Sequence, residues 1–238
     1  MNETIELGDI SIHVTRKAIK HVHLSVHPPL GRATLVAPTQ TRLEAARAYA
    51  ISRLGWIRDQ QSKLRAQARE APRKFVGRET HYLWGRRYLL NVRYEDAKPC
   101  VTLDHRRITL TVRPGASGER KAEVMHGWHK SLLHEVVPSP IEKWEPKLGV
   151  KVGSYFLQRM KTKWGSCNHR AGNVRLNTEL AKKPKDLLEY VIVHEIAHLL
   201  EPTHNERFVS ILDRHYPGWK DARAELNDLP LAAEKWNE

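Results

Sequence analysis

The sequence is poor in cysteine and has no long apolar run. Only Cys100 and Cys167 occur among its 238 residues, so a disulfide framework is not expected and a reducing, cytoplasmic compartment is the simplest prediction. No run reaches the roughly 18–20 apolar residues that a membrane-spanning helix needs. The first residues also lack the basic and apolar regions of a signal peptide. We therefore expect a soluble protein with no membrane partner.

Acidic residues are scarce relative to basic ones. The chain has 40 Lys and Arg against 27 Asp and Glu, with a formal charge of +13 and a pI of about 9.9. Residues 1–100 hold 18 basic and 9 acidic side chains, so most of the excess lies there. This charge fits two interpretations equally. It is either a surface that steers an anionic partner such as a nucleic acid, a nucleotide or an acidic peptide, or an ordinary soluble basic surface.

The apolar pattern predicts an α+β fold in two parts. Short strands fill roughly the first 40 residues, and Thr41 and Glu44 are spaced as the capping box of one long helix. The loop Pro114–Gly118 marks a boundary. We therefore predict an N-terminal β-rich, basic subdomain with a long helix over residues 1–117, and a second domain over residues 118–238. No internal repeat is visible in the sequence.

Two hairpins are predicted before that boundary, and a pair of strands after it. The first hairpin spans His81–Val92 and turns at Trp84–Arg87, and the second spans Val101–Val112 and turns near residues 104–106. Further along, residues 150–163 are predicted as a strand with Asn173–Asn177 as its partner.

The most informative motif is His194-Glu195-Ile196-Ala197-His198, which follows an apolar helical segment. His194 and His198 are four residues apart, so on a helix both imidazoles project from one face and can share one metal ion. Glu195 points elsewhere and can act on water without being a ligand. Because a bound metal lowers the pKa of water, Glu195 is the candidate general base of a metal-dependent hydrolase.

A third ligand is expected just beyond the helix, at His204. Pro202 disfavours helical geometry at Glu201 and so ends the helix there. Thr203 and Glu206 have the spacing of a second capping box, which places His204 on the first turn of a new helix after a sharp bend. Three histidines with one open position are typical of a catalytic zinc site rather than a structural one.

The roles of the histidines and the identity of the third ligand have alternatives at this stage. His194 and His198 are compatible with satisfied core histidines, and Glu206 or Glu225 is an alternative third ligand. Glu201 is a further carboxylate nearby, which the proline turn aims elsewhere. Cys167 is a candidate thiolate, although a single cysteine near a turn is usually structural.

Four runs carry a resemblance to a known family: Trp164–Cys167, Gly172–Asn177, Tyr190–Leu199 and His204–Phe208. Together they closely resemble the YgjP-like metallopeptidase family, which is related to SprT-like and other zincin metallopeptidases. The resemblance covers most of the chain and is more specific in its C-terminal half. It includes the segment Tyr82–Tyr88 in the N-terminal half.

The resemblance implies a zincin-like catalytic domain over residues 118–238, with an HExxH helix and an antiparallel sheet. It implies that the three histidines named above bind the metal and that Glu195 is the base. It also implies an antiparallel strand near the metal helix, at Met160–Trp164 or at Asn173–Asn177. In zincins such an edge strand can hold an extended peptide.

The spacing from His194 to His204 also matches the metzincin pattern H-E-x-x-H-x-x-G-x-x-H. However, Glu201 replaces the glycine of that pattern and no Met lies downstream to form a Met-turn. The sequence therefore argues against metzincin membership, and Pro202 must make the bend.

Three functions follow from these features. The first is a zinc metallopeptidase acting on a peptide or protein, with another divalent transition metal as an alternative to Zn²⁺. The second is a metal-dependent phosphohydrolase acting on nucleotides, with phosphate-pairing cations near the site. Its candidate cations are Lys161, Lys163, Arg170 and Arg175. The third is a nucleic-acid-associated protein with a vestigial metal site, which the intact Glu195 disfavours.

Overall fold

The computed structural model describes residues 3–27, 31–66, 73–160 and 163–229, without the side chains of residues 63–66. The backbone contacts divide the chain between residues 69 and 70 into two compact units. Both combine helices with small mixed sheets, which confirms the α+β prediction. No helix in these ranges is long and apolar enough to span a membrane.

The first unit is a four-stranded sheet with two helices. Its strands are β1 (Glu3–Leu7), β2 (Ile10–Lys17), β3 (His23–His27) and β4 (Arg32–Pro38). Their order is β1-β2-β4-β3, in which β2 and β4 are parallel and the other pairs antiparallel. Alternate residues of β2 and β4 are buried, so one face of the sheet packs with the helices.

The helical segment of this unit differs from the prediction of one long helix. It forms α1 (Leu43–Ser52) and α2 (Leu54–Ala66), interrupted at Arg53. Thr41 is not the N-cap, because its amide donates to the Pro38 carbonyl at 3.0 Å and its own carbonyl accepts from Arg16. These contacts hold Thr41 in the preceding turn, and the helix begins one residue after Arg42 without a side-chain cap.

The second unit begins with a sheet of the same topology. Its strands are β5 (Thr80–Leu83), β6 (Arg86–Tyr94), β7 (Cys100–Leu103) and β8 (Arg107–Val112). The order is β5-β6-β8-β7, again with one central parallel pair between antiparallel pairs. The two predicted hairpins are therefore present. The two four-stranded sheets thus share one strand order, although the sequence shows no internal repeat.

The remaining elements surround the motif helix. They are α3 (Gly118–Val136), α4 (Pro138–Leu148), β9 (Ser154–Gln158), β10 (Gly165–Asn168), β11 (Asn173–Asn177), a 3₁₀ helix (Thr178–Lys182), α5 (Lys185–Ala197), α6 (Glu206–His215) and α7 (Trp219–Asp228). Strand β11 lies centrally in a three-stranded sheet, antiparallel to β10 and parallel to β9.

The predicted boundary at residue 117 lies inside this second unit. Strand β5 contacts the 3₁₀ helix, and α3 contacts both β7 and β8. The hairpins that the sequence analysis placed with the N-terminal part therefore pack with the elements around α5.

Helix α5 is apolar on nearly every side. Eight of its apolar side chains are at most 4% exposed: Leu187, Leu188, Tyr190, Val191, Ile192, Val193, Ile196 and Ala197. It packs against α4, α7, β10 and β11. Because full burial of one Leu, Ile or Val contributes about 1.5–3 kcal/mol, this packing fixes the helix, and with it the direction of its histidines.

The turn between β5 and β6 fastens that sheet to the start of α5. The amides of Trp84 and Gly85 donate to the carbonyls of Ala181 and Lys182, at 2.9 and 3.1 Å. Both turn residues have positive φ, of 50° and 76°, as a two-residue type I′ hairpin requires. A Cβ on Gly85 would lie 2.8 Å from a ring carbon of Pro184, so this close approach needs glycine.

We predict that Gly85→Ala destabilises the protein more than Gly115→Ala does. Gly115 also has a positive φ, of 78°, but a Cβ there meets nothing within 4 Å. The control should therefore show only the backbone penalty of about 1–2 kcal/mol, whereas Gly85→Ala adds about 1–3 kcal/mol of overpacking. Urea denaturation measures both losses, and equal losses would show that the turn is not tightly docked.

Candidate functional site

A cleft of about 670 Å³ lies beside the C-terminal half of α5. The helix contributes His194 and Glu195 to its lining, and His198 follows as the C-cap residue. The imidazole rings of the two histidines are 5.0 Å apart, and both side chains are partly exposed. The helical spacing thus places them on one face, as expected, and that face opens into the cleft.

His204 joins them from the segment after the helix. Its Nε2 lies 3.0 Å from Nε2 of His194, and its ring centroid lies 4.6 Å from that of His198. The ligand atoms that the three histidines offer all lie within 4.8 Å of one another. The helix ends at Ala197 rather than at Glu201 as predicted, and the segment that follows brings His204 back to the other two histidines.

The predicted capping box at Thr203 is wrong. The N-cap of α6 is Asn205, whose side chain accepts from the Phe208 amide at 3.0 Å. Thr203 is engaged elsewhere, because its hydroxyl and its amide both donate to the Glu201 carboxylate. His204 therefore immediately precedes the N-cap rather than lying on the first helical turn.

The hydrogen bonding of His198 directs one ring nitrogen into the cleft. Its Nδ1 lies 3.0 Å from the Glu201 carbonyl oxygen. Since a carbonyl only accepts, Nδ1 carries the proton and donates, which leaves the lone pair on Nε2. This is the tautomer that a metal ligand needs.

Phe208 forms the apolar support of the three imidazoles. It is 2% exposed and stacks on His198 with ring centroids 4.5 Å apart and an interplanar angle of 24°. It also meets His194 and His204 edge to face, at 5.0 and 4.8 Å. These contacts hold the rings together by packing. The sequence analysis quoted Phe208 as part of a run but assigned it no role.

The environment keeps the histidines neutral. Burial lowers the pKa of His194 to about 3, with further lowering by His198 and His204. Burial also lowers the pKa of His198 and of His204. Neutral imidazoles offer lone pairs at neutral pH, so no proton has to be lost before a cation can be held there.

Glu195 lines the same cleft and lies against strand β10. It is 6% exposed, and burial raises its pKa to about 8 against a smaller lowering by the charge of Lys163. A Cβ on Gly165 would lie 2.6 Å from Glu195 Oε1. The glycine in the Trp164–Cys167 run thus makes room for the carboxylate, a role that only the structure reveals.

The edge strand that contacts α5 is β10, which the sequence analysis did not identify. That analysis placed the strand near the helix at Met160–Trp164 or at Asn173–Asn177. Asn173–Asn177 is a strand but lies in the centre of the sheet, and residues 161 and 162 of the first range lie outside the described residues. Strand β10 lies at one end of the order β10-β11-β9 and contacts α5.

The alternative ligands are not brought into the histidine group. Among the described residues, that group contains no carboxylate and no thiol. Glu201 is occupied by Thr203, and neither Glu206 nor Glu225 lines the cleft. Cys167 lines it, but burial and the nearby Glu195 raise the pKa of its thiol to about 11. Its sulfur does not belong to the group of clustered ligand atoms.

The predicted phosphate-binding cations are not gathered at the cleft either. Lys163 lines it, whereas Arg170 and Arg175 do not. The Arg175 guanidinium lies over the Phe156 ring at 5.8 Å. Lys161 lies outside the residues whose placement is described.

Part of the cleft lining comes from α7, of which the sequence analysis had considered only Glu225. Trp219, Arg223, Leu226 and Asn227 line the cleft from this side. Their positions recur at helical spacing, yet nothing in the sequence indicates that α7 returns to α5. The contact is between segments distant in sequence and becomes visible only in the fold.

The donor set fits a divalent transition metal. Three nitrogens at about 2.0–2.1 Å from one tetrahedral ion lie about 3.4 Å apart, close to the 3.0 Å separation of the His194 and His204 nitrogens. Imidazole nitrogens suit zinc and its neighbours in the first transition row. The three imidazoles therefore have the chemistry and proximity for one ion, and the carboxylate of Glu195 lies nearby.

A model of the YgjP-like family, a metallopeptidase domain, matches residues 20–229. Comparison with curated proteins finds no match. Among solved structures, the metallopeptidase zymogen of Pyrococcus abyssi abylysin is similar at 20% identity and a TM-score of 0.35, over 38% of this chain and 90% of that chain. The metallopeptidase zymogen of Methanocaldococcus jannaschii jannalysin is similar at 18% identity and a TM-score of 0.34, over 38% and 92%.

We predict that His204→Ala weakens zinc binding by about a hundredfold, because it removes one of the three clustered imidazoles, and even loss of a group that only supports a ligand costs about 10–100-fold. Competition with a chromophoric chelator measures the affinity, and elemental analysis measures the stoichiometry. His105→Ala is the matched control, since His105 is exposed in a turn outside the cleft. Retained affinity in His204→Ala, combined with a loss in Glu206→Gln or Glu225→Gln, would identify a different third ligand.

Proposed function

Because the chain belongs to the YgjP-like metallopeptidase family, we propose that it is a zinc metallopeptidase. In this proposal His194, His198 and His204 hold the ion and Glu195 is the general base. Family membership itself implies a hydrolase that uses a divalent metal. Zinc, the ligand set and the role of Glu195 are the parts that this proposal adds.

One observation carries the proposal most strongly. Three neutral imidazoles converge beside a buried carboxylate, in a cleft open to solvent. A structural zinc site is closed by four protein ligands, whereas a catalytic site keeps one position for water or substrate. Three protein ligands next to an unused carboxylate favour the catalytic kind.

The residues then have distinct tasks. When bound, a divalent ion supplies Lewis acidity, which polarises a substrate carbonyl and makes water more acidic. Glu195 accepts the proton of the attacking water and passes it to the departing amine. Gly165 lets this buried carboxylate lie under β10, and Phe208 keeps the imidazoles in one arrangement.

The free edge of β10 supports a peptide as substrate. A strand at the end of a sheet presents unpaired backbone groups, to which an extended peptide can add as a further strand. Because Gly165 lies on β10 against Glu195, a peptide held along this edge has its backbone near the proposed base. We infer that substrates bind in an extended conformation.

The other candidate functions gain no support from the site. Of the described cations proposed to pair with phosphates, Lys163 alone lines the cleft, so a phosphohydrolase is not favoured. Nucleic-acid binding by the basic N-terminal part and a cytoplasmic location stay predictions from the sequence.

The proposal predicts that Glu195→Gln lowers kcat for peptide cleavage by about 10²–10⁴-fold while zinc content is retained, since Glu195 is not a ligand. The assay uses zinc-loaded protein with an unfolded protein and a library of internally quenched peptides. Gly165→Ala should also lower kcat, because its Cβ displaces the carboxylate from under β10.

Glu225→Gln is the matched control, because Glu225 is an exposed carboxylate on α7 that does not line the cleft. It should leave cleavage unchanged. Undiminished turnover in Glu195→Gln would contradict its role as the base. Absence of any cleavage by fully loaded wild-type protein would contradict the peptidase function itself.

A further inference from the structure

One face of the sheet β5–β8 packs on the core, and the other is turned to solvent. The core-facing residues of the two central strands are at most 2% exposed: Leu90, Ile108, Leu110 and Val112. The side chains that alternate with them point the opposite way. They form the outer face, which consists of Thr80, Tyr82, Arg87, Leu89, Asn91, Arg93, Cys100, Thr102, Arg107, Thr109 and Thr111. All of them but Thr111 are exposed or partly exposed.

The outer face is basic. It carries the exposed side chains of Arg87, Arg93 and Arg107, and neither Asp nor Glu occupies any of its positions. Within the described ranges none of the three guanidiniums forms an ion pair or a hydrogen bond. Asp104 lies between β7 and β8, where its carboxylate accepts from the backbone amides of Arg106 and Arg107 at 2.8 Å. Because no acidic side chain on the outer face balances the three arginines, the face attracts a polyanion.

Two exposed apolar side chains lie among these charges. Tyr82 is 38% exposed and Leu89 is 45% exposed. Tyr82 lies opposite Arg87, and Leu89 is the next outward residue on β6. An aromatic ring and a guanidinium are therefore cross-strand neighbours on the outer face.

The arginines are spread along the outer face. Arg87 and Arg93 are six residues apart on β6, which corresponds to about 20 Å. Arg107 lies opposite Leu89 on the neighbouring strand β8. Cations spread over this length match a chain of phosphates, whereas a single phosphate group needs cations that converge on it.

We propose that the outer face binds a single-stranded nucleic acid. Proteins that bind single strands combine cations along the phosphate backbone with aromatic side chains on which bases stack. The outer face offers both, and its threonines and Asn91 offer hydrogen bonds to sugars and base edges. A duplex keeps its bases stacked inside, so its bases cannot stack on Tyr82. This site is separate from the proposed peptidase site, because no residue of the outer face lines the cleft.

The first test measures the binding of the full chain to labelled oligo(dT) and oligo(U) of about 20 nucleotides by fluorescence anisotropy, over a series of salt concentrations. The triple variant combines Arg87→Gln, Arg93→Gln and Arg107→Gln. It should bind roughly a hundredfold more weakly at about 0.1 M salt, because each lost phosphate contact removes about 0.7 from the slope of log K against log salt. That slope should therefore flatten by about 2.

The matched control combines Arg47→Gln, Arg170→Gln and Arg214→Gln. These arginines are exposed on other parts of the chain, and their replacement changes the net charge by the same amount. The control variant should retain most of the affinity of the wild type and most of its salt dependence.

The second test concerns the stacking of bases. Tyr82→Thr removes the ring and keeps a residue that suits a strand. It should weaken the binding of oligo(dT) by about 5- to 150-fold with the salt slope unchanged, and leave the weaker binding of a duplex as it was. Phe156→Thr is the control, because Phe156 is a 46% exposed aromatic residue on β9, in another sheet.

Absence of binding to both oligonucleotides at low salt would overturn the proposal. Equal weakening in the two triple variants would also do so, since affinity would then follow total charge and not the outer face. Equal affinity of wild type and Tyr82→Thr for oligo(dT) would contradict the stacking of bases. Binding to vesicles that contain anionic lipid, without binding to the oligonucleotides, would assign the outer face to a membrane surface instead.

Discussion

The structure around the cleft depends on the burial of the apolar side chains of one helix. Helix α5 is covered by α4, α7, β10 and β11, and burial of its apolar residues outweighs the cost of placing His194, Glu195 and His198 in the same element. Packing of the apolar side chains fixes the rotation of the helix. The positions of the three polar side chains are therefore fixed as well. The position of the site follows from the packing of the core.

Segments that are distant in the sequence make specific contacts around that helix. The Trp84–Gly85 turn binds the chain just before its first residue, and Asn205 caps the helix that brings in Phe208. Gly165 permits the carboxylate of Glu195 to lie beneath an edge strand. Glycine is needed where two segments approach closely, and asparagine where a helix begins. These requirements explain why such residues occur in several of the short runs that resemble the family.

The sequence predicts those parts of the site that depend on local geometry. Residues four apart at the end of a helix share a face, so the approach of His194 to His198 follows from their spacing. The predicted end of the helix at Glu201 is wrong, because α5 ends at Ala197, and the approach of His204 depends on the path of the chain after it. The β-hairpins are equally local, since their turn residues and alternation mark them. The α+β class follows from the mixture of these patterns.

Two kinds of feature are not predictable in this way. One depends on which of several groups forms a hydrogen bond, and the other depends on contacts between segments that are distant in the sequence. Thr203 has the spacing of an N-cap, but the Glu201 carboxylate takes its hydroxyl, and Asn205 caps the helix instead. Likewise Arg16 helps to hold Thr41 in a turn. The place of Arg223 in the cleft, and the strand order that the two four-stranded sheets share, depend on tertiary packing and have no short signal in the sequence.

The central claim is that the three histidines, and no other side chains, bind a metal ion. X-ray absorption spectroscopy at the zinc edge of the loaded protein tests it most directly. We expect three imidazole nitrogens and oxygen at about 2.0–2.1 Å, with no sulfur. A sulfur contribution at about 2.3 Å, or fewer than three imidazoles, would contradict the account.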